Sequence, residues 1–306
     1  MTAVTIDAAV PLAAELLTPA TGIAGARAIA VLIPGSGPID RNGDARRMPL
    51  AIQRQLAEGL AAQGVASIRW DKRGVGATPG SFLATGFHDL VDDALSVVDH
   101  VSGRLAGSRV PVVVIGHSEG SAIAARLLAE RPALAGGVLL SAYARPGLEV
   151  LRWQAQALQP HLPGLVRGIL RLLRTDLAAQ SEKNRQRILA TTGDVARIGG
   201  ARINARWHRE FMAYDPSIDL AASAAPVLAI GGAFDLQSPP EDTVRIADIR
   251  TAPTQTEVLD GLSHILRRQP APSLQAYRGD LRRPIDERIV PLIAGWLDRL
   301  PAEGRA

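Results

Sequence analysis

The sequence predicts an α/β fold, in which a mostly parallel central sheet is covered by helices on both faces. Short apolar segments rich in β-branched residues alternate along the chain with longer segments whose apolar residues recur at helical spacing. The short segments lack polar alternation, which is typical of strands buried on both faces. Hydrophobic residues make up 47% and charged residues 21% of the 306 positions, a composition that supports a large folded core.

The predicted elements follow one another from residue 28 to residue 300. Apolar runs predict strands at residues 28–33, 65–70, 110–115, 136–142, 226–232 and 254–260. Helical spacing of apolar residues predicts helices at residues 49–64, 90–105, 119–130 and 286–300. Because parallel strands are joined by crossover connections of helical length, this alternation favours a parallel sheet.

One segment interrupts the alternation of strands and helices. No strand is evident between Arg145 and Ser223, where residues 148–159, 162–189 and 201–215 read as helical. We therefore predict a core of residues 1–144 and 224–306, and a helical cap of residues 145–223 that lies over the sheet. Four apolar residues of this segment lie at helical spacing: Leu165, Ile169, Leu172 and Leu173. They could face an acyl chain, although packing on the sheet is the simpler interpretation.

The composition excludes several classes of protein. The absence of cysteine rules out a disulfide framework, a thiolate nucleophile and cysteine-based metal centres. The N-terminal segment lacks the basic start of a signal peptide, and no run of 18 uncharged apolar residues predicts a membrane span, so we expect a cytoplasmic protein. The net charge of +4 is carried mostly by arginine, and only 4% of residues are aromatic, so nucleic-acid binding is not indicated.

The stretch VVIGHSEGSAIA, from Val113 to Ala124, contains the pattern Gly-x-Ser-x-Gly between a predicted strand and a predicted helix. In this context the serine occupies a tight, strained turn, and the flanking glycines remove the Cβ atoms that would clash. Its hydroxyl stands at the N-terminus of a helix, where backbone N–H groups can stabilise an oxyanion. We predict that Ser118 is a nucleophile rather than a simple helix cap.

A nucleophilic serine requires a base, and the base requires an orienting group. His264 follows the last predicted strand, at the carboxyl edge of the sheet where the active sites of such sheets lie. The other histidines precede the serine, adjoin it or fall in the insertion: His88, His100, His117, His161 and His208. Asp235 also follows a strand at this edge and is preferred over Asp260, which closes a strand. The predicted triad is therefore Ser118, Asp235 and His264, in the chain order expected of this scaffold.

The loop after the first predicted strand, VLIPGSGPIDRNGD, is a candidate for the oxyanion hole. Gly35 and Gly37 allow the backbone to approach a ligand closely, and we predict that the N–H groups of Ser36 and Glu119 bind the oxyanion. The DRNGD segment is faintly similar to a calcium loop, but the downstream bidentate acid is missing. No metal site is therefore expected.

Three motifs together resemble an α/β-hydrolase of the serine esterase/peptidase-like type. They are PGSGPIDRNG after one strand, RWDKRGVGAT after the next, and GHSEGSAIAA at the serine. The chain departs from many relatives at Pro34, where histidine is common, and at Ser121, where this subgroup often has glycine. The resemblance implies an α/β-hydrolase fold, a catalytic triad and no cofactor, and members with such a loop and turn are commonly carboxylesterases.

The predicted function is hydrolysis of a small-molecule carboxylic ester through an acyl-serine intermediate. Acyl-CoA thioesterase, amide or peptide hydrolase and acyltransferase activities remain alternatives, as does a ligand-binding module without turnover. The carboxylate of Glu119, beside the serine, would oppose a developing oxyanion. Arg41 and Arg73 lie in the two neighbouring loops, and we expect them to neutralise it.

Overall fold

The computed structural model describes residues 1–105, 109–161 and 177–300. The described residues form twelve strands, which are β1 (Thr2–Ile6), β2 (Leu12–Leu17), β3 (Ile29–Ile33), β4 (Asp44–Ala45), β5 (Met48–Pro49), β6 (Ala66–Trp70), β7 (Val112–His117), β8 (Gly136–Leu140), β9 (Val195–Ile198), β10 (Ala201–Asn204), β11 (Val227–Gly232) and β12 (Thr254–Leu259). Eight of them build one sheet in the order β1-β2-β6-β3-β7-β8-β11-β12. The strands β4 and β5, and likewise β9 and β10, form separate hairpins.

The sheet is parallel except at one edge. β1 and β2 are antiparallel to each other, and β2 is antiparallel to β6, whereas every pair from β6 to β12 is parallel. The register pairs Ile33 with Gly116 and His117 with Leu140, which brings the carboxyl ends of β3, β7 and β8 together. The predicted mostly parallel sheet is confirmed, and all six predicted strands are present within it.

Helices cover both faces of this sheet. The described helices are α1 (Ile52–Ala62), α2 (Phe87–Arg104), α3 (Glu119–Glu130), α4 (Gly147–Leu158), α5 (Leu177–Leu189), α6 (Ala205–Ala213), α7 (Pro216–Ala222), α8 (Pro240–Ile249), α9 (Tyr277–Asp280) and α10 (Ile289–Leu297). Alternate residues of β3 contribute to two cores: Val31 packs with residues of α2 and α3, and Leu32 packs with residues of α1 and α10. Burial on both faces explains why the strands read as continuous apolar runs.

The N-terminal hairpin of β1 and β2 was not predicted from the sequence. β2 consists mainly of alanine and leucine, which do not favour strands by themselves. It forms because it pairs with β6, with Ala14 opposite Trp70, and because the Thr78 hydroxyl accepts a hydrogen bond from the Ala13 N–H at 2.9 Å. Tertiary pairing outweighs the local preference here.

The region between Arg145 and Ser223 is helical only in part. The expectation that it contains no strand is wrong, because β9 and β10 form an antiparallel hairpin. Gly199 and Gly200 connect them with positive φ angles of 57° and 83°, as a two-residue hairpin turn requires. The four apolar residues expected to face an acyl chain lie outside the described residues, namely Leu165, Ile169, Leu172 and Leu173. In the described part of the chain, no helix is long and apolar enough to cross a membrane.

Candidate active site

Ser118 lies on a sharp turn between β7 and α3. Its backbone has φ 55° and ψ −118°, a conformation that residues other than glycine rarely adopt. The glycines of the turn permit very close packing: a Cβ on Gly116 would lie 2.0 Å from the Gly120 carbonyl oxygen, and one on Gly120 would lie 2.3 Å from that of Ile33. The strain at Ser118 is typical of a nucleophile elbow, in which the hydroxyl is held clear of the sheet.

The structure brings Ser118, His264 and Asp235 together at the carboxyl edge of the sheet. His264 Nε2 lies 3.0 Å from Ser118 Oγ, and His264 Nδ1 lies 3.0 and 2.9 Å from the two carboxylate oxygens of Asp235. Both His264 and Asp235 are buried, whereas Ser118 is half-buried. The predicted base, His264, and its predicted orienting group, Asp235, are thus shielded from solvent, while Ser118 stays partly exposed.

Asp235 is held in place by its own loop. Its Oδ1 accepts hydrogen bonds from the backbone N–H groups of Gln237 at 2.7 Å and Ser238 at 2.8 Å. Two other acids that precede β11 have different partners: Asp215 caps α7 through the Ser217 N–H, and Asp219 pairs with Arg126. These bonds orient the Asp235 carboxylate towards the imidazole.

The loop that carries His264 is tied to its surroundings by hydrogen bonds on both sides. His117 Nε2 donates to the main-chain oxygen of His264 at 2.8 Å, so the histidine that precedes Ser118 supports the backbone of His264. The buried guanidinium of Arg267 donates to the carbonyl oxygens of Ile265 at 2.8 Å and Leu50 at 2.6 Å. Burial of Arg267 lowers its pKa to about 10. This loop is therefore fixed by side chains that donate to main-chain oxygens rather than by regular secondary structure.

The predicted oxyanion loop runs beside the serine. A Cβ on Gly35 would lie 3.4 Å from the Cβ of Ser118 and 3.2 Å from Nδ1 of His117, so the backbone of this loop approaches the elbow closely. Ser36 and Ser118 line the same cavity, and Glu119 is the first residue of α3, where N–H groups have no partner within the helix. The roles of Ser36 and Glu119 as oxyanion donors remain predictions.

Asp71 joins the loop after β6 to the oxyanion loop. Its carboxylate accepts hydrogen bonds from the Arg41 guanidinium and backbone and from the Ala77 N–H, at 2.6 to 3.0 Å. Burial tends to raise the pKa of the Asp71 carboxyl, but these donors outweigh burial and hold that pKa below its usual value. The Asp-Lys-Arg-Gly motif thus begins with a residue that holds two loops together.

The expectation that Arg41 and Arg73 neutralise the Glu119 carboxylate is wrong. Arg41 is engaged by Asp71, and Arg73 forms a bidentate pair with Asp93 on α2, so neither guanidinium reaches the Glu119 carboxylate. Glu119 instead pairs with Lys72: its Oε1 lies 2.7 Å from Lys72 Nζ. Its second oxygen, Oε2, accepts a hydrogen bond from Trp207 Nε1 at 2.7 Å. Of the three consecutive charged residues after β6, only the middle one turns towards the elbow, a direction that sequence spacing does not reveal.

A cavity of about 800 Å³ opens beside Ser118 and His264, a volume suited to a small organic molecule. Its described aliphatic and methionine lining consists of Ile39, Ala45, Met48, Leu50, Ile52, Leu158, Ile265, Leu274 and Leu281. Arg47 and Arg278 also line it, and the described lining includes no acidic residue. Nor do the described residues anywhere include a group of three or more His, Asp or Glu side chains that could hold a metal ion.

The sheet order and the serine on a strand–helix turn define an α/β-hydrolase. A family model described as Hydrolase_4, serine aminopeptidase S33, matches residues 51–270, and the chain belongs to this family. It is also similar to the esterase EstD of Thermotoga maritima, with 34% identity over 129 residues. That match covers 42% of this chain and 30% of EstD, so the chain matches less than a third of that relative.

Solved structures share the fold over nearly the whole chain. Est1E from Butyrivibrio proteoclasticus with bound ferulic acid superimposes with a TM-score of 0.61 at 18% identity, covering 96% of both chains. A malate-bound esterase from Thermogutta terrifontis gives 0.58 at 21% identity, covering 98% of this chain and 99% of its own. The proline iminopeptidase of Mycobacterium smegmatis gives 0.63 at 15% identity, with 97% and 98% covered. The predicted α/β-hydrolase fold is thereby confirmed.

Proposed function

We propose that this protein hydrolyses carboxylic esters of small molecules through an acyl-serine intermediate. The observation that supports this most strongly is the arrangement at His264, whose Nε2 lies 3.0 Å from Ser118 Oγ while Nδ1 faces Asp235. In this arrangement a histidine can take the serine proton and retain a stabilised charge. The similarity to EstD, which is named an esterase, supports the same substrate class.

The proposed reaction has two steps. Ser118 Oγ attacks the ester carbonyl while His264 Nε2 takes the hydroxyl proton, and the carbonyl oxygen becomes an oxyanion held by the N–H groups of Ser36 and Glu119. The tetrahedral intermediate collapses, and His264 returns the proton to the departing alcohol. Water, whose proton passes to His264, then adds to the acyl-serine carbonyl. The second tetrahedral intermediate collapses with cleavage of the bond to Ser118 Oγ, His264 returns the proton to this oxygen, and the carboxylic acid is released. Asp235 keeps the proton on Nδ1 and stabilises the imidazolium in both steps.

The charges that line the cavity favour an ester substrate over a peptide substrate with a free, positively charged N-terminus. An α-ammonium group in a largely apolar pocket requires an acidic partner, because an unpaired buried charge is costly. The described lining of the cavity contains Arg47 and Arg278 but no carboxylate. We therefore place aminopeptidase activity second to ester hydrolysis, together with thioester hydrolysis and acyl transfer. The division into a core and a cap of residues 145–223, and a cytoplasmic location, also remain predictions.

The test is a panel of p-nitrophenyl esters, acyl-CoAs and aminoacyl amides, assayed with the wild-type protein and with Ser118→Ala. We expect ester turnover that the substitution abolishes, together with labelling of Ser118 by a fluorophosphonate, located by mass spectrometry. Turnover of amides alone would contradict the ester assignment. Equal turnover by Ser118→Ala would remove this serine from the reaction.

A matched pair of aspartate variants tests the orienting residue. Asp235→Asn is expected to lower kcat by up to about ten-thousandfold, because the amide favours the wrong histidine tautomer. Asp260→Asn, in the exposed turn that follows β12 and precedes the His264 loop, should leave kcat within about twofold of wild type, a change of under 0.5 kcal/mol. The reverse result would show that the wrong acid has been assigned to His264.

A further inference from the structure

We propose that Lys72 is a positioning residue for the oxyanion hole, which it orients by holding the two backbone segments that carry its N–H donors. This inference rests on the proposed function. Lys72 follows β6, and its ammonium nitrogen lies 2.7 Å from the main-chain oxygen of Gly35 and 2.7 Å from Glu119 Oε1. It touches neither Ser118 nor His264 through any described hydrogen bond, so its effect would be exerted through the backbone.

The contact with Gly35 bears directly on the first donor, the Ser36 N–H. The carbonyl of Gly35 and the N–H of Ser36 belong to one planar trans peptide unit, in which they point in opposite directions. An ammonium that holds the carbonyl oxygen therefore fixes the direction of the N–H on the other side. It also polarises the peptide unit, which strengthens the N–H as a donor to a developing negative charge.

The contact with Glu119 bears on the second donor. The N–H of Glu119 opens α3, and the carboxylate of the same residue is bound on both oxygens, by Lys72 and by the Trp207 indole. Trp207 lies on α6, within residues 145–223, and its ring stacks on Phe211 at 4.7 Å between centroids. The ammonium of Lys72 thus connects the oxyanion loop with the first turn of α3, and the Glu119 carboxylate extends this connection to α6.

Stability alone does not account for this ion pair. The side chains of Lys72 and Glu119 are only 3% and 1% exposed, and burying two charges costs about as much as their attraction returns. An apolar pair of similar volume would serve the core equally well. The pair also neutralises a carboxylate that would otherwise repel the oxyanion.

The residue type supports the same role. The chain has 34 lysine and arginine residues, but only Lys72 and the exposed Lys183 are lysine. A compact ammonium with three donors can bridge a carbonyl oxygen and a carboxylate oxygen that lie on different segments, whereas a guanidinium is a larger planar fork. Lysine at this buried position is therefore a departure from the chain's general use of arginine, and it suits the bridge.

The first test replaces both charges with neutral side chains of similar length, in Lys72→Met with Glu119→Gln. Removing both avoids leaving one charge buried without its partner. Loss of one oxyanion donor generally lowers kcat by about 100- to 1000-fold. A donor that is present but misaligned should cost less, so we expect kcat for a p-nitrophenyl ester to fall by about 10- to 100-fold with KM within about twofold. A trifluoromethyl ketone, which forms a tetrahedral adduct with the serine, should lose affinity by the same factor as kcat/KM.

The matched control is the ion pair of the next residue in the same loop, Arg73→Met with Asp93→Asn. This pair is also largely buried, with side chains 13% and 1% exposed, and neither residue contacts Gly35 or Glu119 among the described bonds. We expect a lower melting temperature with kcat and inhibitor affinity within about twofold of wild type. Equal losses of kcat in the two double variants would reduce the role of Lys72 to stability and overturn the proposal.

A rescue experiment covers the case in which the double variant does not fold. Because the sequence contains no cysteine, Lys72→Cys introduces a single thiol. Aminoethylation of this thiol in denaturant, followed by refolding, restores an ammonium at nearly the original length. We expect at least a tenfold gain in kcat over the unalkylated variant treated in parallel, roughly the lower bound of the loss expected above. Recovery of the melting temperature without recovery of kcat would overturn the proposal.

The experiments distinguish a failure of the proposed ester hydrolysis from a failure of the role of Lys72. If the wild-type protein does not hydrolyse esters, or if Ser118→Ala is as active, the proposed function fails before Lys72 is tested. If wild-type turnover depends on Ser118 but the Lys72 double variant keeps its kcat and its affinity for the trifluoromethyl ketone, only the role of Lys72 is rejected.

Discussion

The ring of His117 donates a hydrogen bond from Nε2 to the main-chain oxygen of His264, at 2.8 Å. A carbonyl oxygen can only accept, so Nε2 carries the proton and the ring is held as one neutral tautomer. The residue before the proposed nucleophile, Ser118, thereby supports the backbone of the proposed base, His264. The two rings lie 5.1 Å apart between centroids, and a positive charge on His117 would face a second imidazole.

The burial of the His117 ring predicts that the protein loses stability in mild acid. Burial, and less strongly the neighbouring His264 imidazole, lowers the pKa of His117 from 6.5 to about 3. Between these values the unfolded chain binds a proton at this residue and the folded protein does not, so unfolding becomes more favourable as the pH falls. We expect the free energy of unfolding from urea titrations to fall by up to about 1.4 kcal/mol per pH unit between pH 6.5 and 3 from this group.

His117→Gln tests the assignment, because glutamine keeps a donor near Nε2 but does not titrate. The variant should lose this part of the pH dependence of stability. His88→Gln is the matched control, because it makes the same substitution at an exposed position of α2. If both variants show the wild-type slope, the acid sensitivity arises elsewhere in the chain.

The nucleophile elbow predicts a sharp contrast between two helical glycines. In Gly120→Ala the new Cβ would lie 2.3 Å from the Ile33 carbonyl oxygen and 2.8 Å from that of Pro34, both main-chain atoms that cannot rotate away. The end of β3 or the start of α3 must therefore shift. We expect a loss of about 1–3 kcal/mol in the free energy of unfolding. A displacement of the nucleophile by about 1 Å would also lower kcat by about 100-fold.

Gly103→Ala provides the control for this substitution. Gly103 lies in the last turn of α2, and a Cβ there would have no described heavy atom within 4 Å apart from its chain neighbours and the nearby backbone of its own helix. Alanine favours helix over glycine, so this variant should gain up to about 1 kcal/mol and keep its activity. Urea denaturation and ester assays on both variants measure the contrast. Similar effects of Gly120→Ala and Gly103→Ala would contradict the close packing of α3 on the end of β3.

The sequence predicted the central sheet because its strands are buried on both faces and read as continuous apolar runs. It also led to Ser118, Asp235 and His264, since parallel strands present their carboxyl ends at one edge and the chain order limited the choice. The N-terminal hairpin could not be predicted in the same way: β2 owes its strand conformation to pairing with β6, a contact between distant segments.

The contacts of Glu119 are a second feature that could not be predicted from the sequence. Three consecutive charged residues, Asp71, Lys72 and Arg73, point to three different partners, and which one faces the elbow depends on the path of the loop. The rarity of lysine in the chain was a usable signal for Lys72. The hairpin of β9 and β10 also had a signal in the sequence: Gly199 and Gly200 separate two short segments that contain valine and isoleucine, as in a two-residue hairpin turn.

The charges at the cavity predict a preference for esters that carry a second, anionic group. Arg47 and Arg278 line the cavity, both are exposed, and neither has an ion-pair partner among the described residues. Their charges are free to pair with a carboxylate on the acyl chain, at a distance from the reacting ester. An exposed pair contributes about 0.2–1 kcal/mol, so each arginine should improve kcat/KM by up to about fivefold.

The preference for an anionic ester is measured by comparing kcat/KM for the p-nitrophenyl monoester of glutaric acid with kcat/KM for its neutral analogue, p-nitrophenyl pentanoate. Arg47→Gln and Arg278→Gln should lower kcat/KM for the anionic ester by up to about fivefold each, and by less for the neutral one. Arg46→Gln, which removes an exposed arginine that is not among the lining residues, should change neither. The preference should also weaken with added salt, because exposed charges are screened. A wild-type protein that favours the neutral ester at low salt would contradict the prediction.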